Sequence, residues 1–283
     1  MSLIVESGAT KSDWRVIDNI GKSVADTFIL PGINVSAMPM QSVIDILGKG
    51  LGKIEGPIEE IYLYVAGVVT NDVYRRISEF VLSLLPSASI DIQNDMIAAA
   101  RAVCGKGEGI VAILGTGSNA GFYNGTTLCQ KTLSGGYILG DYGSASVLGR
   151  MFVTDYLAKD VPELIAENFD REFKYSYEDI IDNVYYRSAP SCFLGSLAPF
   201  ILSCYNDSSY VHELVDSNFR LFIDTTLSKY DTTSYPVGIV GGFGYAARDI
   251  FTKLCSESGI RISSYVKSPI EVLIKQITEK IHD

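Results

Sequence analysis

A carboxylate, several hydroxyl groups and a lysine surround one glycine shortly after the first predicted strand. The segment is Glu6–Asp13, reading Glu-Ser-Gly-Ala-Thr-Lys-Ser-Asp, and it follows the apolar run Leu3–Val5. Backbone N–H groups beside a glycine can bind an anion. An ordinary polar loop is the alternative interpretation.

A second glycine- and hydroxyl-rich turn follows another short apolar run. Ile110–Leu114 is rich in β-branched side chains, which is typical of a strand buried on both faces. Gly115, Thr116, Gly117 and Ser118 come directly after it. Glycine lets the backbone approach a phosphate closely, but a plain hairpin turn would have the same composition.

Asp95 is a carboxylate at a predicted strand-to-helix junction. It follows the predicted strand Ser89–Ile92 and begins a predicted helix that Gly105 ends. A carboxylate at such a junction can accept a proton from a reacting hydroxyl. It can equally be part of a helix N-cap, a role open to Asn94 or Asp95.

The composition excludes several function classes. The chain has 283 residues, is 47% hydrophobic and carries a net charge of −10. Without a basic cluster we expect no nucleic-acid or membrane partner. Five scattered cysteines, two histidines, and the absence of a signal peptide or transmembrane run predict a cytoplasmic protein without a His-built metal site.

The order of predicted elements repeats. The first part follows β-β-β-α-β-α-β-α, and a second three-stranded meander begins at Gly109 after a break near Lys106-Gly107. We assign Trp14 to the core. The predicted strands are Leu3–Val5, Trp14–Ile17, Val24–Leu30 after a turn at Asp18–Gly21, Ile61–Val65, Ser89–Ile92, Gly109–Leu114, Ala120–Asn124, Thr127–Lys131, Val237–Val240 and Ile260–Val266. Helices are predicted over Met40–Leu51, from a cap at Asn71-Asp72 to Leu85, over Asn94–Cys104, to Leu157, and over Tyr177–Tyr186, Phe193–Tyr205, Val211–Tyr230, Ala246–Ser258 and Pro269–Ile281.

Two such turns, each in a repeated β-β-β-α unit, are a more specific signal of a protein family than either turn alone. At these residues the sequence resembles the actin/hexokinase-like sugar kinases, in the branch of the N-acetylglucosamine kinases and the BadF/BadG-type ATPases. The matching segments are Glu6–Trp14, Leu114–Asn119, Gly136–Ala145, Gly241-Gly242 and Ser268–Ile274. The match is clear over residues 1–150 and 236–283.

The resemblance implies an α/β fold of two ribonuclease-H-like domains around a nucleotide cleft. Residues 1–106 would form the first domain and residues 107–268 the second, with a helical insertion over about 150–235. The last helix, about 269–283, would return to the first domain.

The resemblance also implies ATP and Mg²⁺ as cofactors and a small sugar as the partner. The sugar would be an amino sugar such as N-acetylglucosamine, and a homodimer is left open. Asp95 matches the general base and Glu6 the residue that holds Mg²⁺ through water. Phosphate and nucleotide contacts would come from Gly8, Ala9, Thr10, Lys11, Gly115, Thr116, Gly117, Ser118, Gly241 and Gly242, and sugar contacts from Asn34, Asn119, Gly136 and Asp141. Lys11 could instead be an ordinary surface residue.

Two positions depart from the family pattern. Glu6 stands where the first loop usually has Asp, and Tyr142 where the later block usually has Glu. Either change is compatible with altered metal geometry, a different sugar or weakened catalysis. A non-catalytic nucleotide or sugar sensor is therefore one alternative. An ATPase like the activators of 2-hydroxyacyl-CoA dehydratases is another, although the scattered cysteines offer no converging pair for an iron–sulfur cluster.

Overall fold

The computed structural model describes residues 1–18, 27–67 and 69–282. Most of the predicted turn at Asp18–Gly21 and the start of the predicted strand Val24–Leu30 lie outside these residues. The chain divides into two compact units, Met1–Gly105 with Ser268–Asp283, and Lys106–Lys267. Within the described ranges, no helix combines the length and the apolar character needed to cross a membrane.

The first unit is a five-stranded mixed sheet with four helices. Its strands are β1 (Ser2–Ser7), β2 (Lys11–Ile17), β3 (Phe28–Pro31), β4 (Glu60–Val65) and β5 (Ser89–Asn94). Its helices are α1 (Met40–Leu51), α2 (Asn71–Leu84), α3 (Asp95–Cys104) and the last helix of the chain, which spans Ile270–His282. The strand order is β3-β2-β1-β4-β5. Strand β2 pairs antiparallel with both β1 and β3, and β4 and β5 run parallel to β1.

The second unit has the same sheet with a larger helical part. Its strands are β6 (Glu108–Leu114), β7 (Ser118–Asn124), β8 (Leu128–Lys131), β9 (Val237–Val240) and β10 (Ile262–Val266). Its helices are α4 (Gly136–Leu139), α5 (Ala145–Ala158), α6 (Glu163–Phe173), α7 (Tyr177–Ile181), α8 (Pro190–Ser196), α9 (Ala198–Ser203), α10 (Ser209–Thr225), α11 (Gly242–Ala246) and α12 (Arg248–Glu257). A π-helical turn covers Asp182–Tyr186, and a 3₁₀ turn covers Leu227–Lys229. The last helix of the chain, Ile270–His282, is α13.

The two sheets share one topology, because the second has the order β10-β9-β6-β7-β8. In each unit a three-stranded antiparallel meander is extended on one side by two strands parallel to its first strand. The repeat of element order that the sequence indicated is therefore a repeat of strand pairing as well. Parallel neighbours need crossover connections, and these connections carry the helices.

Two local predictions were wrong. The N-cap of α2 is Thr70, whose hydroxyl accepts the N–H of Val73 at 3.3 Å, and not Asn71 or Asp72. The helix predicted over Phe193–Tyr205 is interrupted at Leu197, where α8 ends and α9 begins with Pro199 in its first turn. Proline is accepted at the start of a helix but disrupts a helix interior, so the chain starts a new helix there.

Trp14 lies on β2 and is fully buried against α1, which confirms its assignment to the core. Its indole N–H donates to the Ser12 hydroxyl at 2.9 Å, so the buried polar atom has a partner. Gly50, on the buried face of α1, leaves room for the ring: a Cβ there would lie 2.2 Å from a Trp14 ring carbon. The packing of α1 on the sheet therefore depends on a glycine inside a helix.

Alanine substitutions at the two glycines in α1 should have opposite effects on stability. Gly50→Ala should destabilise the protein by about 1–3 kcal/mol, because the methyl group overpacks against Trp14. Gly48→Ala is the matched control: its Cβ would meet only the Phe80 ring at 3.4 Å, and alanine favours a helix by roughly 0.5–1 kcal/mol. Thermal denaturation of both variants tests this. A Gly50→Ala protein as stable as Gly48→Ala would contradict the packing described.

Candidate active site

The polar residues of the first unit collect at one edge of its sheet. The parallel strands β1, β4 and β5 end side by side there, with Ser7 paired to Val65 and Val65 paired to Asn94. Glu6 lies one row inside this edge, and Asp95 begins α3 directly beyond it. Ligands of open α/β sheets bind at this carboxyl edge, so the strand order alone brings the predicted base and the predicted metal residue together.

The first glycine turn links β1 to β2. The N–H of Gly8 donates to the carbonyl of Lys11 at 3.1 Å, which closes a hairpin, and Ala9, Thr10 and Lys11 are exposed. The turn rests on Gly32, because a Cβ there would lie 2.4 Å from the Gly8 carbonyl oxygen. A Cβ on Gly8 itself would meet no atom within 4 Å. The first glycine turn is thus a hairpin whose Gly8 faces open space, where a ligand could approach.

Glu6 is the most electrostatically perturbed carboxylate at this edge. Burial raises its pKa to about 7, and the negative charges of Asp95 and Asp13 add to the rise. Lys11 and a hydrogen bond from the Ser268 hydroxyl, at 3.5 Å from the carboxylate, act in the opposite direction. A cation placed near Glu6 would favour its ionised form, since opposite charges lower a carboxylate pKa.

The N-terminus of α3 resolves which residue caps it. Asn94 occupies the N-cap position, and its side-chain oxygen accepts the N–H of Met96 at 2.9 Å. Asp95 is the first helical residue, and one of its carboxylate oxygens lies at the same 2.9 Å from that N–H. The Asn94 amide also donates to the Gly67 carbonyl. Asn94 is therefore the N-cap residue, and Asp95, the first helical residue, accepts the same Met96 N–H.

Asn34 lies beside the same edge, next to the end of β4. It forms an isolated parallel bridge with Ala66, and its side-chain oxygen accepts the N–H of Ser36 at 3.1 Å. Gly67, with φ of +92°, is packed so closely that a Cβ would lie 2.7 Å from that oxygen. The Gly67 carbonyl accepts the amide of Asn94, the N-cap residue of α3. Gly67 therefore lies between Asn34, the predicted sugar contact, and the start of α3.

The second glycine turn connects β6 to β7 and is tied to the start of α5. The carbonyls of Gly115 and Thr116 accept the N–H groups of Ala145 and Ser146 at 2.9 and 3.1 Å. The N–H of Gly115 donates within the turn to Gly117, at 3.0 Å. The first N–H groups of α5 are therefore used inside the protein, and an anion at this loop would have to be held by the loop itself.

Asp141 packs directly on that turn. A Cβ at Gly117 would lie 2.8 Å from a carboxylate oxygen of Asp141, so Gly117 is required by the fold as well as by any ligand. Burial raises the pKa of Asp141, while hydrogen bonds from the Ser134 hydroxyl and the Ser118 N–H act against the rise. The Ser134 bond measures 3.0 Å. The structure thus brings Gly117, Ser118 and Asp141 together.

The remaining predicted residues of the second unit have visible structural roles. Asn119 accepts the N–H of Ala120 at 2.9 Å, and Gly136, at φ +67°, donates to the Ser134 hydroxyl at 3.3 Å. Gly241, at φ +124°, packs on β6, where a Cβ would be 2.5 Å from the Leu114 carbonyl. Gly242 is exposed, and its Cβ would meet nothing within 4 Å.

Sequence reasoning missed the residues that support this site. Ser134 and Asn218 hold Asp141 and the turn that follows it, and Ser7 accepts the N–H of Ile33 at 2.7 Å beside Asn34. A serine or asparagine shows nothing in the sequence that reveals which distant backbone group its side chain will bond to. Among the described residues, no three His, Cys, Asp or Glu side chains are grouped as a ready metal site. The acidic environment of Glu6 nevertheless fits a Mg²⁺ ion that keeps most of its waters.

The raised pKa of Glu6 should appear in the pH dependence of stability. Between its ordinary pKa of 4.5 and about 7, the folded protein binds a proton more tightly than the unfolded chain. Its contribution is therefore most favourable below 4.5 and is lost as the pH rises through 7. We expect Glu6→Gln to raise the Tm, measured without Mg²⁺, more at about pH 8 than at about pH 5. The control Glu55→Gln removes an exposed carboxylate, and equal Tm differences for Glu6→Gln at both pH values would contradict the shift.

Comparison with known proteins gives a consistent result. A crystal structure of a proposed N-acetylglucosamine kinase from Porphyromonas gingivalis is 33% identical, with 99% of each chain covered and a TM-score of 0.90. Another, from Chromobacterium violaceum, is 17% identical with a TM-score of 0.72 over 96% of this chain and 97% of its own, and shows the shared fold.

A curated relative and the family profiles complete the comparison. The N-acetylmuramic acid/N-acetylglucosamine kinase of Clostridium acetobutylicum is 26% identical over 213 residues, which cover 71% of this chain and 69% of that protein. No protein-family profile matches the chain. The sequence identity of 33% over 99% of the P. gingivalis protein, together with the same strand order in both sheets, shows that the chain belongs to the N-acetylglucosamine kinase family of actin/hexokinase-like proteins.

Proposed function

We propose that this protein is an ATP-dependent kinase that transfers a phosphoryl group to a hydroxyl of an amino sugar, with N-acetylglucosamine as the first substrate to test. The observation that carries the proposal is the position of Asp95 in a chain of this family. It is the first residue of α3, at the carboxyl edge of the sheet, where Asn94 already serves as the cap. Such a carboxylate can accept the proton that a sugar hydroxyl loses as it attacks.

Glu6 would hold the cation in this proposal. Its carboxylate lies near that of Asp95 and has a raised pKa, so that a divalent cation would relieve the repulsion between the two. When bound, Mg²⁺ neutralises charge on the phosphate groups of ATP. The hydrogen bond from Ser268 orients the longer side chain that replaces the usual aspartate. We therefore interpret Glu6 as an adaptation of the site.

Backbone groups of the two glycine turns would bind the phosphates. In the first turn these are the N–H groups of Ala9 and Thr10, beside the open face of Gly8, with Lys11 close enough to influence Glu6. In the second turn, the N–H groups of Gly115 and Ser118 already have acceptors in the chain, and no acceptor for the Gly117 N–H lies in the described part. The Gly117 N–H is thus the proposed backbone contact there, and Thr116 lies beside it on the same turn.

The remaining predicted residues would contact the sugar and the nucleotide base. Asn34, Asn119, Gly136 and Asp141 are proposed to contact the sugar, and Gly241-Gly242 the nucleotide base. Tyr142, which replaces the usual glutamate, packs against the core of the second unit, and its carbonyl accepts the Ser118 hydroxyl at 2.7 Å. Its side chain therefore has a structural task. We propose a cytoplasmic protein that acts without a nucleic-acid partner.

A panel of sugars with ATP and Mg²⁺ tests the proposed activity. We expect ADP release and a sugar phosphate with N-acetylglucosamine, and much less product with glucose. Asp95→Asn should lower kcat by about 10²- to 10⁴-fold because the general base is lost, while folding and ATP binding persist. Asp72→Asn, an exposed carboxylate in the first turn of α2, is the matched control and should leave kcat unchanged.

Two outcomes would reject parts of the kinase proposal. A protein that binds ATP and sugar but phosphorylates no member of the panel would be a sensor. An active enzyme whose Asp95→Asn variant keeps its full kcat would need another base.

Alanine substitutions at Gly8 and Gly115 test the phosphate loops without disturbing the fold. A Cβ at Gly8 meets nothing within 4 Å, and at Gly115 only the Gly117 carbonyl at 3.9 Å. We expect each variant to keep the Tm of the wild type and to bind ATP about 10-fold more weakly or worse, because the methyl group blocks the close backbone approach. Gly48→Ala is the control in calorimetry with ATP and Mg²⁺. Unchanged ATP affinity in both loop variants would show that these turns do not bind phosphate.

A further inference from the structure

The residues Asp141–Ser144 form a tight turn with two backbone positions in the left-handed region. The N–H of Ser144 donates to the Asp141 carbonyl at 3.1 Å, and φ is +51° at Asp141 and +77° at Gly143. Glycine is suited to such a position, but an aspartate adopts it at a cost. The turn that carries the Asp141 carboxylate therefore needs support from the rest of the unit.

Asn218, in the middle of α10, supplies that support from below. It is fully buried, with 0% exposure. Its side-chain oxygen accepts the N–H of Gly143 at 2.9 Å, and its amide donates to the carbonyl of Ser144 at 3.1 Å. Both polar ends of one side chain are thus bonded to the backbone of two consecutive residues of the turn.

The same helix also fixes the turn by packing. A Cβ at Gly143 would lie 2.6 Å from Cβ of Phe222, one helical turn after Asn218, so the backbone of the turn sits directly on α10. From the helical segment between α5 and β9, Asn218 hydrogen-bonds to the turn through both ends of its amide. Another bond, from the Ser118 hydroxyl to the Tyr142 carbonyl, comes from the glycine turn.

The carboxylate of Asp141 is located by this arrangement. It accepts from Ser134 and from the Ser118 N–H, and it touches Gly117 at the second glycine turn. If the turn rotated, the carboxylate would leave these donors, because its backbone and the Gly143 backbone belong to one four-residue unit. A buried amide on α10 is therefore coupled to the geometry of a proposed sugar contact.

We propose that Asn218 is a positioning residue, which sets the Asp141 carboxylate for sugar binding by clamping the Gly143 N–H and the Ser144 carbonyl. This inference rests on the proposed function, because the sugar contact of Asp141 is part of it. Asn218 touches no substrate. The helical segment that surrounds it thereby contributes to the site through one hydrogen-bonded side chain.

A double-mutant cycle with Asn218→Ala and Asp141→Asn tests the coupling. Asparagine at 141 tolerates the left-handed conformation, and it removes the charge and one of the two acceptor oxygens. We expect Asn218→Ala to lower kcat/KM for the sugar by about 10- to 100-fold, mainly through KM, because Asp141 is displaced. The double variant should be no worse than Asp141→Asn alone, since both changes remove the same interaction. Additive losses, or an unchanged sugar KM in Asn218→Ala, would overturn the proposal.

Amide hydrogen exchange at Gly143 provides a second arm that needs no activity. Exchange should be at least about 10-fold faster in Asn218→Ala than in the wild type, because the acceptor of that N–H is gone. Tyr205→Phe is the matched control: it removes the 2.8 Å hydrogen bond from Tyr205 to Asp216 on the same helix and should change neither Gly143 exchange nor sugar KM. Unchanged exchange at Gly143 in Asn218→Ala would overturn the clamp.

The two arms separate the two proposals. If the wild type phosphorylates no sugar, the proposed function fails, and with it the link to sugar, while the exchange measurement still decides whether Asn218 holds the turn. If Asn218→Ala does not fold, Asn218→Asp keeps the acceptor for Gly143 and loses the donor to Ser144. It should then show intermediate exchange at Gly143 and an intermediate loss in kcat/KM, and wild-type values of both would overturn the proposal.

Discussion

The parallel pairing of β1 with β4 and of β4 with β5 is the constraint on which the first half of the site depends. Parallel strands all end at the same edge of a sheet, and each must be followed by a crossover that usually contains a helix. The ends of three strands and the start of α3 are therefore gathered along one line. Glu6 and Asp95, separated by most of the unit in sequence, become neighbours for this reason alone.

Carboxylates that lie close together repel one another, and this repulsion raises the free energy of their ionised forms. Burial and the charges of Asp95 and Asp13 hold the pKa of Glu6 near 7, and only Lys11 and Ser268 offset this effect. A core built for stability alone would not bury a carboxylate where the charges of two other acids raise its pKa further. The arrangement is understandable where a cation is to be bound, because a divalent ion turns the same repulsion into attraction.

In the second unit, the main structural requirement is that an irregular backbone is held in place. The Gly115–Gly117 turn uses its carbonyls to satisfy the first N–H groups of α5, and the following Asp141–Ser144 turn rests on Asn218 and Phe222. Close contacts at Gly117 and Gly143 leave no space for a side chain. The glycines of these segments therefore serve internal packing as much as any approach of a ligand, and the two requirements cannot be separated by composition.

The sequence by itself determined the element order, the two glycine turns and the burial of Trp14, and its resemblance to a known family suggested roles for Asp95 and Glu6. Periodicity and turn chemistry are local properties, so they can be seen in a single chain. Only the tertiary structure decided that Asn94 occupies the N-cap position of α3, that the first N–H groups of α5 are already occupied, and that Asn218 accepts the Gly143 N–H from a helix 75 residues away. Such contacts join residues far apart in sequence, and a buried asparagine looks the same in the sequence as an exposed one until its partners are placed around it.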